Sequence, residues 1–296
     1  MDEPNVLLLD MPAFSVNGED MHEEEEILRI GKLVRSKLKY QRSYEQPWRL
    51  KESDTRTDKV KLKFHIESQL EGTSVKLGIE QPQYTKIIWN NIPVKVQTDG
   101  WYIDEAIKTI PLGTLHKGYN ELIIEMSIGE QTDFEPFYLL GDFGVKLEGR
   151  IAKIIKNPRH LSYGDITSQG FPFYGGNITY FLEYQQTAKD QILSIHDFSA
   201  PLLNVYLNGV KAGSIISAPY VVKLEGGDSV RSKLEIRLYG NRYNTLGAVH
   251  NSNPSYDWYG NNAWETQGAY FAYEYHLKPV GIFTSPRIIT WINLKN

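Results

Sequence analysis

The sequence predicts an all-β protein that consists of two tandem antiparallel β-sandwiches of the jelly-roll kind, with a short N-terminal helix. Apolar and polar residues alternate with a period of two through many short segments, as they do in half-buried strands. Clusters of Gly, Pro and Asn separate these segments at intervals typical of sandwiches and jelly rolls. The 296 residues contain no phosphate-binding glycine motif and no regular alternation of helices and strands, which argues against a parallel sheet.

The N-terminal segment, residues 1–45, differs from the rest of the chain. VLLLD at 6–10 is a short apolar run that we interpret as a strand cut off from its sheet, left from a missing upstream domain. A helix is predicted over 21–39, because Asp20 and Glu23 fit an N-cap and N3 capping pair. The apolar face of this helix, which we expect to dock on a neighbouring domain, consists of Ile27, Ile30, Val34 and Leu38.

Residues 46–145 are predicted to form the first sandwich. The segments 60–66, 74–80 and 121–128 alternate strictly between apolar and polar residues. The stretch 133–145 is expected to be the exit strand of this sandwich and its link to the next domain.

Residues 146–296 are predicted to form the second sandwich. Its expected strands, each with β-branched or aromatic residues at alternate positions, are 177–184, 191–198, 202–209, 233–240 and 268–277.

The two predicted sandwiches resemble copies of one another. In each, a strand ends in a turn dipeptide of Asn-Asn or Asn-Gly, and a later Gly-bearing turn opens an alternating strand. Asn90 aligns with Asn208, and residues 122–124 align with 234–236. The repeated order supports two tandem domains.

Composition excludes several classes of partner and site. The formal net charge of −4 and the absence of clustered Lys and Arg argue against nucleic acid and anionic membranes. The chain has no cysteine, so it has neither disulfides nor thiolate metal sites. The N-terminus lacks the basic and apolar regions of a signal peptide. The sequence is compatible with a cytoplasmic protein and with secretion as part of a longer protein.

Aromatic residues and amides concentrate between residues 244 and 270, in the predicted loop before the last strand. A flat ring can cover the apolar face of a pyranose while amides, acids or Arg hold its hydroxyls. Packing at the end of the sandwich or between domains is the competing interpretation. The candidate carbohydrate contacts here and in the corresponding loop of the first domain are Trp258, Tyr259, Trp264, Trp101, Tyr102, Arg242, His250, Asn262 and Glu265.

Two enzymatic alternatives remain open. Glycoside hydrolysis needs two carboxyl groups across the scissile bond, for which Asp257, Glu265 and Asp165 are candidates. A polysaccharide lyase would need a Tyr or His base with an Arg. The residues of these types that lie close together are Arg242, Tyr243, His250 and Tyr259.

No cofactor is expected, and no catalytic residue is assigned. The seven histidines are scattered and form no metal-binding spacing. Jelly rolls often hold a structural calcium ion through carbonyls and one or two acids, and Asp228 and Asp104 are the candidate ligands for it. Ordinary turn aspartates are the competing interpretation of both.

Three sets of segments carry a resemblance to a known group of enzymes. They are GWYID (100–104) with KGYNELIIEM (117–126), EPFYLLGDFGV (135–145) with GFPFYGGNITY (170–180), and LNGVKAG (207–213) with RLYGNRYNTLGAVHN (237–251). Together they resemble the C-terminal region of large bacterial glycoside hydrolases of the family 2-like and family 106 α-L-rhamnosidase-like type.

In such enzymes, accessory jelly rolls of the galactose-binding-like kind flank a catalytic TIM barrel. The resemblance implies a non-catalytic accessory region that binds carbohydrate or supports a catalytic domain. The strand–helix alternation of a barrel does not occur in this sequence. No catalytic residue of the family is therefore carried over, and the catalytic domain is expected upstream of this chain.

Overall fold

The computed structural model describes residues 1–40, 55–185, 190–225, 231–253, 255 and 263–290. It confirms the all-β class, because antiparallel sheets account for most of its regular structure. The chain divides into two compact units, and the predicted boundary between residues 145 and 146 stays a prediction. The first unit comprises Asn5–Asn157 and His250–His276, and the second comprises Met1–Pro4, Pro158–Val249 and Leu277–Asn296.

Two sheets form the first unit. One has the strand order β1-β10-β4-β8-β7, and the other has the order β11-β12-β3-β9-β5-β6, with β2 also pairing with β3. The strands are β1 (Asn5–Leu9), β2 (Ala13–Val16), β3 (Asp58–Ser68), β4 (Ser74–Glu80), β5 (Thr85–Trp89), β6 (Ile92–Val94), β7 (Gly100–Tyr102), β8 (Asp104–Thr114), β9 (Gly118–Ile128), β10 (Phe137–Gly141), β11 (Gly144–Glu148) and β12 (Ile151–Ile155).

The period-two pattern of the sequence becomes the two faces of the sheet that contains β3. Phe64 and Ile66 are buried, while His65 between them faces outward and is exposed. Phe64 lies opposite Leu122 of β9, which is also fully buried. Burial of this apolar face fixes the register, because a slip by one residue would expose it.

The opening strand β1 is part of this unit, contrary to the expectation that it is cut off from its sheet. It pairs with β10 in antiparallel register from Asn5↔Gly141 to Leu9↔Phe137. All five residues of β1 are buried. A strand buried on both faces shows no alternation, which is why the sequence alone made it look isolated.

The helix is shorter than predicted. Helix α1 spans Ile27–Leu38, and its N-cap is Glu26, not Asp20. The carboxylate of Glu26 accepts hydrogen bonds from the backbone N–H groups of Leu28 and Arg29, both at 3.0 Å. The predicted first turn is extended because the N–H of His22 pairs with the carbonyl of Phe14 at 2.7 Å.

The second unit also consists of antiparallel sheets. The strand orders are β13-β19-β16-β17, β18-β14-β21 and β15-β20. Its elements are β13 (Ile178–Gln185), β14 (Asp190–Ser194), β15 (Phe198–Ser199), β16 (Leu203–Leu207), β17 (Val210–Ile215), β18 (Val221–Glu225), β19 (Arg231–Leu238), the short helix α2 (Tyr243–Leu246), β20 (Gly281–Ile282) and β21 (Arg287–Thr290).

The predicted strand over 268–277 is wrong. Only an isolated bridge forms there, between Phe271 and Asn251. The alternating aromatics instead make polar and ring contacts inside the first unit, where the hydroxyl groups of Tyr273 and Tyr275 donate to acidic side chains. These aromatic residues are therefore fixed by side-chain contacts and not by a sheet.

The repeated turn of the two predicted sandwiches has the same geometry in both units. Asn90 and Asn208 each have a φ of 50°, and each follows a strand end. The side-chain oxygen of Asn90 accepts from the N–H of Glu121 at 2.9 Å, and that of Asn208 accepts from the N–H of Lys233 at 2.9 Å. Glu121 and Lys233 immediately precede the aligned segments 122–124 and 234–236, so the sequence alignment matches equivalent contacts.

Within the described ranges, no helix has the length and apolar character needed to cross a membrane.

Candidate functional site

A cleft with a volume of about 380 Å³ opens at one edge of the first unit. This volume lies within the range of about 300–1,000 Å³ that is usual for small-molecule sites. The cleft is lined by the end of β1 and the residues after it, by β3, by the first residues of β9 and by β12. Its lining residues are Leu7, Leu8, Leu9, Asp10, Met11, Glu24, Phe64, His65, Ile66, Glu67, Tyr119, Arg150, Ile151, Ala152, Lys153 and Tyr275.

One wall of the cleft carries a row of three side chains across neighbouring strands. Tyr119 lies directly opposite Glu67, and Glu67 lies directly opposite Lys153. Side chains at such positions stand about 5 Å apart on one face of a sheet. The row therefore places an aromatic ring, a carboxylate and an ammonium side by side along about 10 Å of the wall.

Among the described residues of the first unit, Tyr119 is the most exposed large apolar side chain, at 77%. It lies at the outward position of β9, between the buried Asn120 and the glycine that begins the strand. Its neighbour across the sheet, Glu67, forms an ion pair with Lys153 at 3.2 Å. That hydrogen bond, with the charge of Glu148, raises the pKa of Lys153 and keeps it charged.

Further charged and apolar groups of the cleft lie on the same strands as this row and in the turn before β12. Nδ1 of His65 lies 3.4 Å from a carboxylate oxygen of Glu24, and Nε2 lies 3.9 Å from one of Glu121. Ile151 is 53% exposed and follows the exposed Arg150. The cleft thus offers hydrogen-bond donors, acceptors and apolar surface together.

The inner end of the cleft is a buried polar network centred on Asp10. One carboxylate oxygen of Asp10 accepts from the hydroxyl of Tyr275 at 2.7 Å, and the other lies 3.1 Å from Nε2 of His250. Nδ1 of His250 lies 2.9 Å from the carbonyl of Ala272. Since both ring nitrogens face acceptors, this arrangement favours the protonated, cationic form of the imidazole.

The electrostatics of this network follow from its burial. Asp10 is 2% exposed and His250 is 8% exposed. Burial by itself lowers the pKa of His250, but the hydrogen bond and charge of Asp10, with the charge of Glu26, outweigh it and the pKa is raised. Burial, with the nearby Asp10, also raises the pKa of Tyr275 well above its usual value, so its hydroxyl stays protonated.

Glu26 completes the network from the helix side. Burial raises its pKa to about 7, and the charge of Asp10 adds to this, although the N–H groups of Leu28 and Arg29 act in the other direction. The backbone N–H of Ile27 donates to the carbonyl of Asp10 at 2.9 Å. The end of β1 and the start of α1 are therefore held together at the same point.

A second set of contacts fastens the segment after residue 263 to α1. The guanidinium carbon of Arg29 lies 4.7 Å from the ring centroid of Phe271. Arg29 also donates to the carbonyl of Thr266 at 2.7 Å and pairs with Glu25 at 2.9 Å. Glu25 in turn accepts from the hydroxyl of Tyr273 at 3.2 Å. These contacts fix the wall that carries Tyr275.

The carbohydrate candidates from the sequence fall in different places. Trp101 lies on β7 and is 56% exposed, whereas Tyr102 beside it is 4% exposed and packs on Tyr138 with ring centroids 5.6 Å apart. Trp264 and Glu265 are half-buried in the first unit. The candidates Trp258, Tyr259 and Asn262 lie outside the described residues.

Arg242 and His250 each have a definite partner in the structure. Arg242 forms a bidentate pair with Glu3 in the second unit, with distances of 2.7 and 2.5 Å. His250 belongs to the buried network of the first unit. The structure brings His250 together with Asp10 and Tyr275, which the sequence did not single out.

The acidic candidates for catalysis and calcium binding have turn contacts. Asp165 caps the short 3-10 turn Ile166–Gln169 and accepts from Thr167 N–H at 3.0 Å. Asp104 accepts from the N–H of Ala106 at 2.8 Å. Across the described residues, no three His, Asp or Glu side chains gather as metal ligands. Asp228 and Asp257 lie outside the described residues.

The wall residues of the cleft were missed by the sequence analysis. Tyr119 could have been found from the sequence, because it is an aromatic residue at an outward-facing position of a strand, where a polar residue is usual. The inward-facing positions of that strand are mostly apolar. Arg150 and Glu24 had none, since each is an ordinary charged residue that only the fold brings beside β1 and β3.

Comparison with known proteins gives weak similarities. No protein-family model and no curated protein matches the chain. A rhamnosidase from Novosphingobium sp. PP1Y is 14% identical, with 94% of this chain and 25% of that chain covered and a TM-score of 0.32. A β-D-mannosidase from Dictyoglomus thermophilum is 10% identical, with 80% and 31% covered and a TM-score of 0.28.

A protein of a different class has comparable similarity. An anti-sigma factor domain-containing protein from Clostridium clariflavum is 8% identical, with 79% and 90% covered and a TM-score of 0.22. The chain spans about a quarter of the rhamnosidase and about a third of the mannosidase. TM-scores this low do not establish a shared fold.

Proposed function

We propose that this chain is a non-catalytic, carbohydrate-binding accessory region of a glycoside hydrolase, and that the cleft of the first unit holds the saccharide. The observation that carries the proposal is the row of Tyr119, Glu67 and Lys153 on the wall of a cleft of about 380 Å³. The exposed ring of Tyr119 offers a flat apolar face for the C–H side of a pyranose.

The polar groups beside the ring suit sugar hydroxyls. The carboxylate of Glu67 accepts hydrogen bonds, and the ammonium of Lys153 donates them. Their ion pair holds both side chains in place before a ligand arrives, which lowers the ordering cost of binding. An aromatic platform flanked by a fixed acceptor and a fixed donor is an arrangement that orients a saccharide.

The buried network supports the same site from behind. Asp10 and Tyr275 line the inner end of the cleft and are hydrogen-bonded to each other. Both are oriented by contacts with other buried groups, so this end is rigid and preformed. We assign them a positioning role and no catalytic role.

A structural scaffold without its own ligand is the other role that the sequence allowed. That role requires an apolar surface exposed on the opening strand and the helix, to which a missing domain would bind. In the structure, β1 is buried throughout, and Ile27, Ile30 and Val34 of α1 are buried as well. Of the large apolar side chains of these two elements, only Leu33 is exposed. The burial of β1 and α1 therefore argues against the scaffold role, and the cleft supports carbohydrate binding better.

The test is calorimetric titration of the chain with a panel of neutral and acidic oligosaccharides. Tyr119→Ala is expected to weaken binding on the order of tenfold, because an aromatic anchor is lost. Tyr84→Ala is the matched control, since Tyr84 is an exposed tyrosine of the same unit outside the cleft. Trp101→Ala tests the platform expected from the sequence. Binding that Tyr119→Ala leaves unchanged would overturn the proposal.

A further inference from the structure

Most of the charged side chains that line the cleft have a partner of opposite charge, but one does not. Asp10 faces the imidazolium of His250, Glu24 faces His65, and Glu67 faces Lys153. Each carboxylate that lines the cleft therefore already has a basic partner.

Arg150 is the exception. In the part of the chain that the structure describes, no carboxylate pairs with Arg150, whose guanidinium carbon lies 5.8 Å from the ring centroid of Tyr273. A guanidinium next to a ring keeps its in-plane N–H groups available, and these fit a carboxylate in a bidentate manner.

The position of Arg150 is set by a tight turn. Gly149 and Arg150 connect β11 to β12, whose register runs from Gly144↔Ile155 to Glu148↔Ile151. Gly149 has a φ of 64°, a conformation that glycine adopts without strain. The hairpin therefore holds Arg150 at the rim, one residue before Ile151 and three before Lys153.

We infer that the saccharide of this cleft carries a carboxylate, as a uronic acid does, and that Arg150 binds this group while Tyr119 supports the ring. The inference rests on the proposed function, because it names the class of sugar that the same cleft takes. Among the described residues that line the cleft, Arg150 is the cation without a carboxylate partner, and a carboxylate on the ligand completes the charge pattern. With a neutral saccharide bound, the guanidinium of Arg150 would have no carboxylate partner and its N–H groups would donate to water.

The test uses matched pairs of oligosaccharides that differ only in the carboxyl group. The probes are oligomers of galacturonate, glucuronate and mannuronate, together with their carboxyl-reduced forms, which are oligomers of galactose, glucose and mannose. At least one uronate oligomer is expected to bind about tenfold or more tightly than its reduced form, as a charge-assisted hydrogen bond gives. The preference should weaken as salt is raised, since the pair is at the rim.

The variants separate this inference from the proposed function. Arg150→Gln should remove the preference for the acidic form, so that the uronate oligomer and its carboxyl-reduced form bind this variant equally. Lys86→Gln is the matched control, because Lys86 is an exposed cation of the same unit outside the cleft. Tyr119→Ala should weaken binding of both forms.

The outcomes are distinct. Equal binding of both forms, or an acidic preference that survives Arg150→Gln, would overturn the inference while carbohydrate binding stands. Binding of neutral oligomers alone would do the same. Binding of no member of any pair would overturn both the inference and the proposed function.

Discussion

Oδ2 of Asp10 lies 3.1 Å from Nε2 of His250, and both side chains are buried. The other ring nitrogen of His250 faces the carbonyl of Ala272, so the imidazole is charged and Asp10 is its counter-ion. The pair joins the end of β1 to a segment 240 residues later in the chain, inside one unit. A buried ion pair of this kind has consequences for stability that can be measured.

Asp10→Asn is expected to lower the free energy of unfolding by about 3–5 kcal/mol, because a buried cation loses its counter-charge. Urea denaturation of the wild type and the variant measures the difference. His65→Gln is the control, since the pair of His65 with Glu24 is exposed and should contribute less than about 1 kcal/mol. A loss for Asp10→Asn no larger than that of His65→Gln would contradict the account.

His250 predicts a dependence of stability on alkaline pH. The pKa of His250 is raised because Asp10 and Glu26 outweigh the effect of burial. Its contribution to stability is therefore fully present below the unfolded pKa of about 6.5 and is lost as pH rises through the higher folded pKa. Denaturation curves from pH 6 to 9 should show a fall that His250→Gln flattens. An identical slope in the variant would exclude this role.

Glu26 predicts a second window at lower pH. Burial is the main reason that its pKa is raised from 4.5 to about 7 in the folded protein. Stability should therefore fall as pH rises from 4.5 through about 7, because the unfolded chain releases this proton first. Glu26→Gln should flatten the curve in that window, and it should also make the His250 window smaller, because the charge of Glu26 helps to raise the pKa of His250. If the variant keeps the wild-type slope, Glu26 is ionised in the folded state.

The repeated turn predicts equal effects at two distant sites. Asn90→Ala and Asn208→Ala should each cost about 1–3 kcal/mol, because alanine is strained at a φ of 50° and the side-chain acceptor is lost. Asn90→Gly and Asn208→Gly keep the turn conformation and lose only the side-chain hydrogen bonds, so they should cost less. Denaturant unfolding of the four variants measures this. A large cost at one site and none at the other would argue against equivalent turns.

Much of the fold followed from the sequence. Period-two alternation located β3, β4 and β9, since each has one apolar face, and the Asn turns marked equivalent hairpins. The errors arose where contacts distant in the chain decide the structure. β1 pairs with β10 and shows no alternation, while the alternating aromatics of 268–277 are fixed by side-chain contacts and not by a sheet.

The candidate site followed from the sequence only in part. His250 was identified by its type and neighbours, but its partners Asp10 and Tyr275 come from segments that no local pattern connects. Tyr119 was visible as an aromatic residue on the polar face of a strand, whereas Arg150 and Lys153 depend on the pairing of β12 with β3. A site assembled from neighbouring strands can be predicted only if the register of strand pairing is known, and that register is seen only in the folded structure.

The most direct test of the central claim, that the cleft of the first unit binds a saccharide, is hydrogen–deuterium exchange with and without a bound oligosaccharide. The account predicts that protection increases in peptides that cover the Gly149–Arg150 turn and the start of β9 at Tyr119, and that Tyr119→Ala reduces the increase at the same oligosaccharide concentration. Protection confined to peptides around Trp101, or found in no peptide of the cleft, would contradict it.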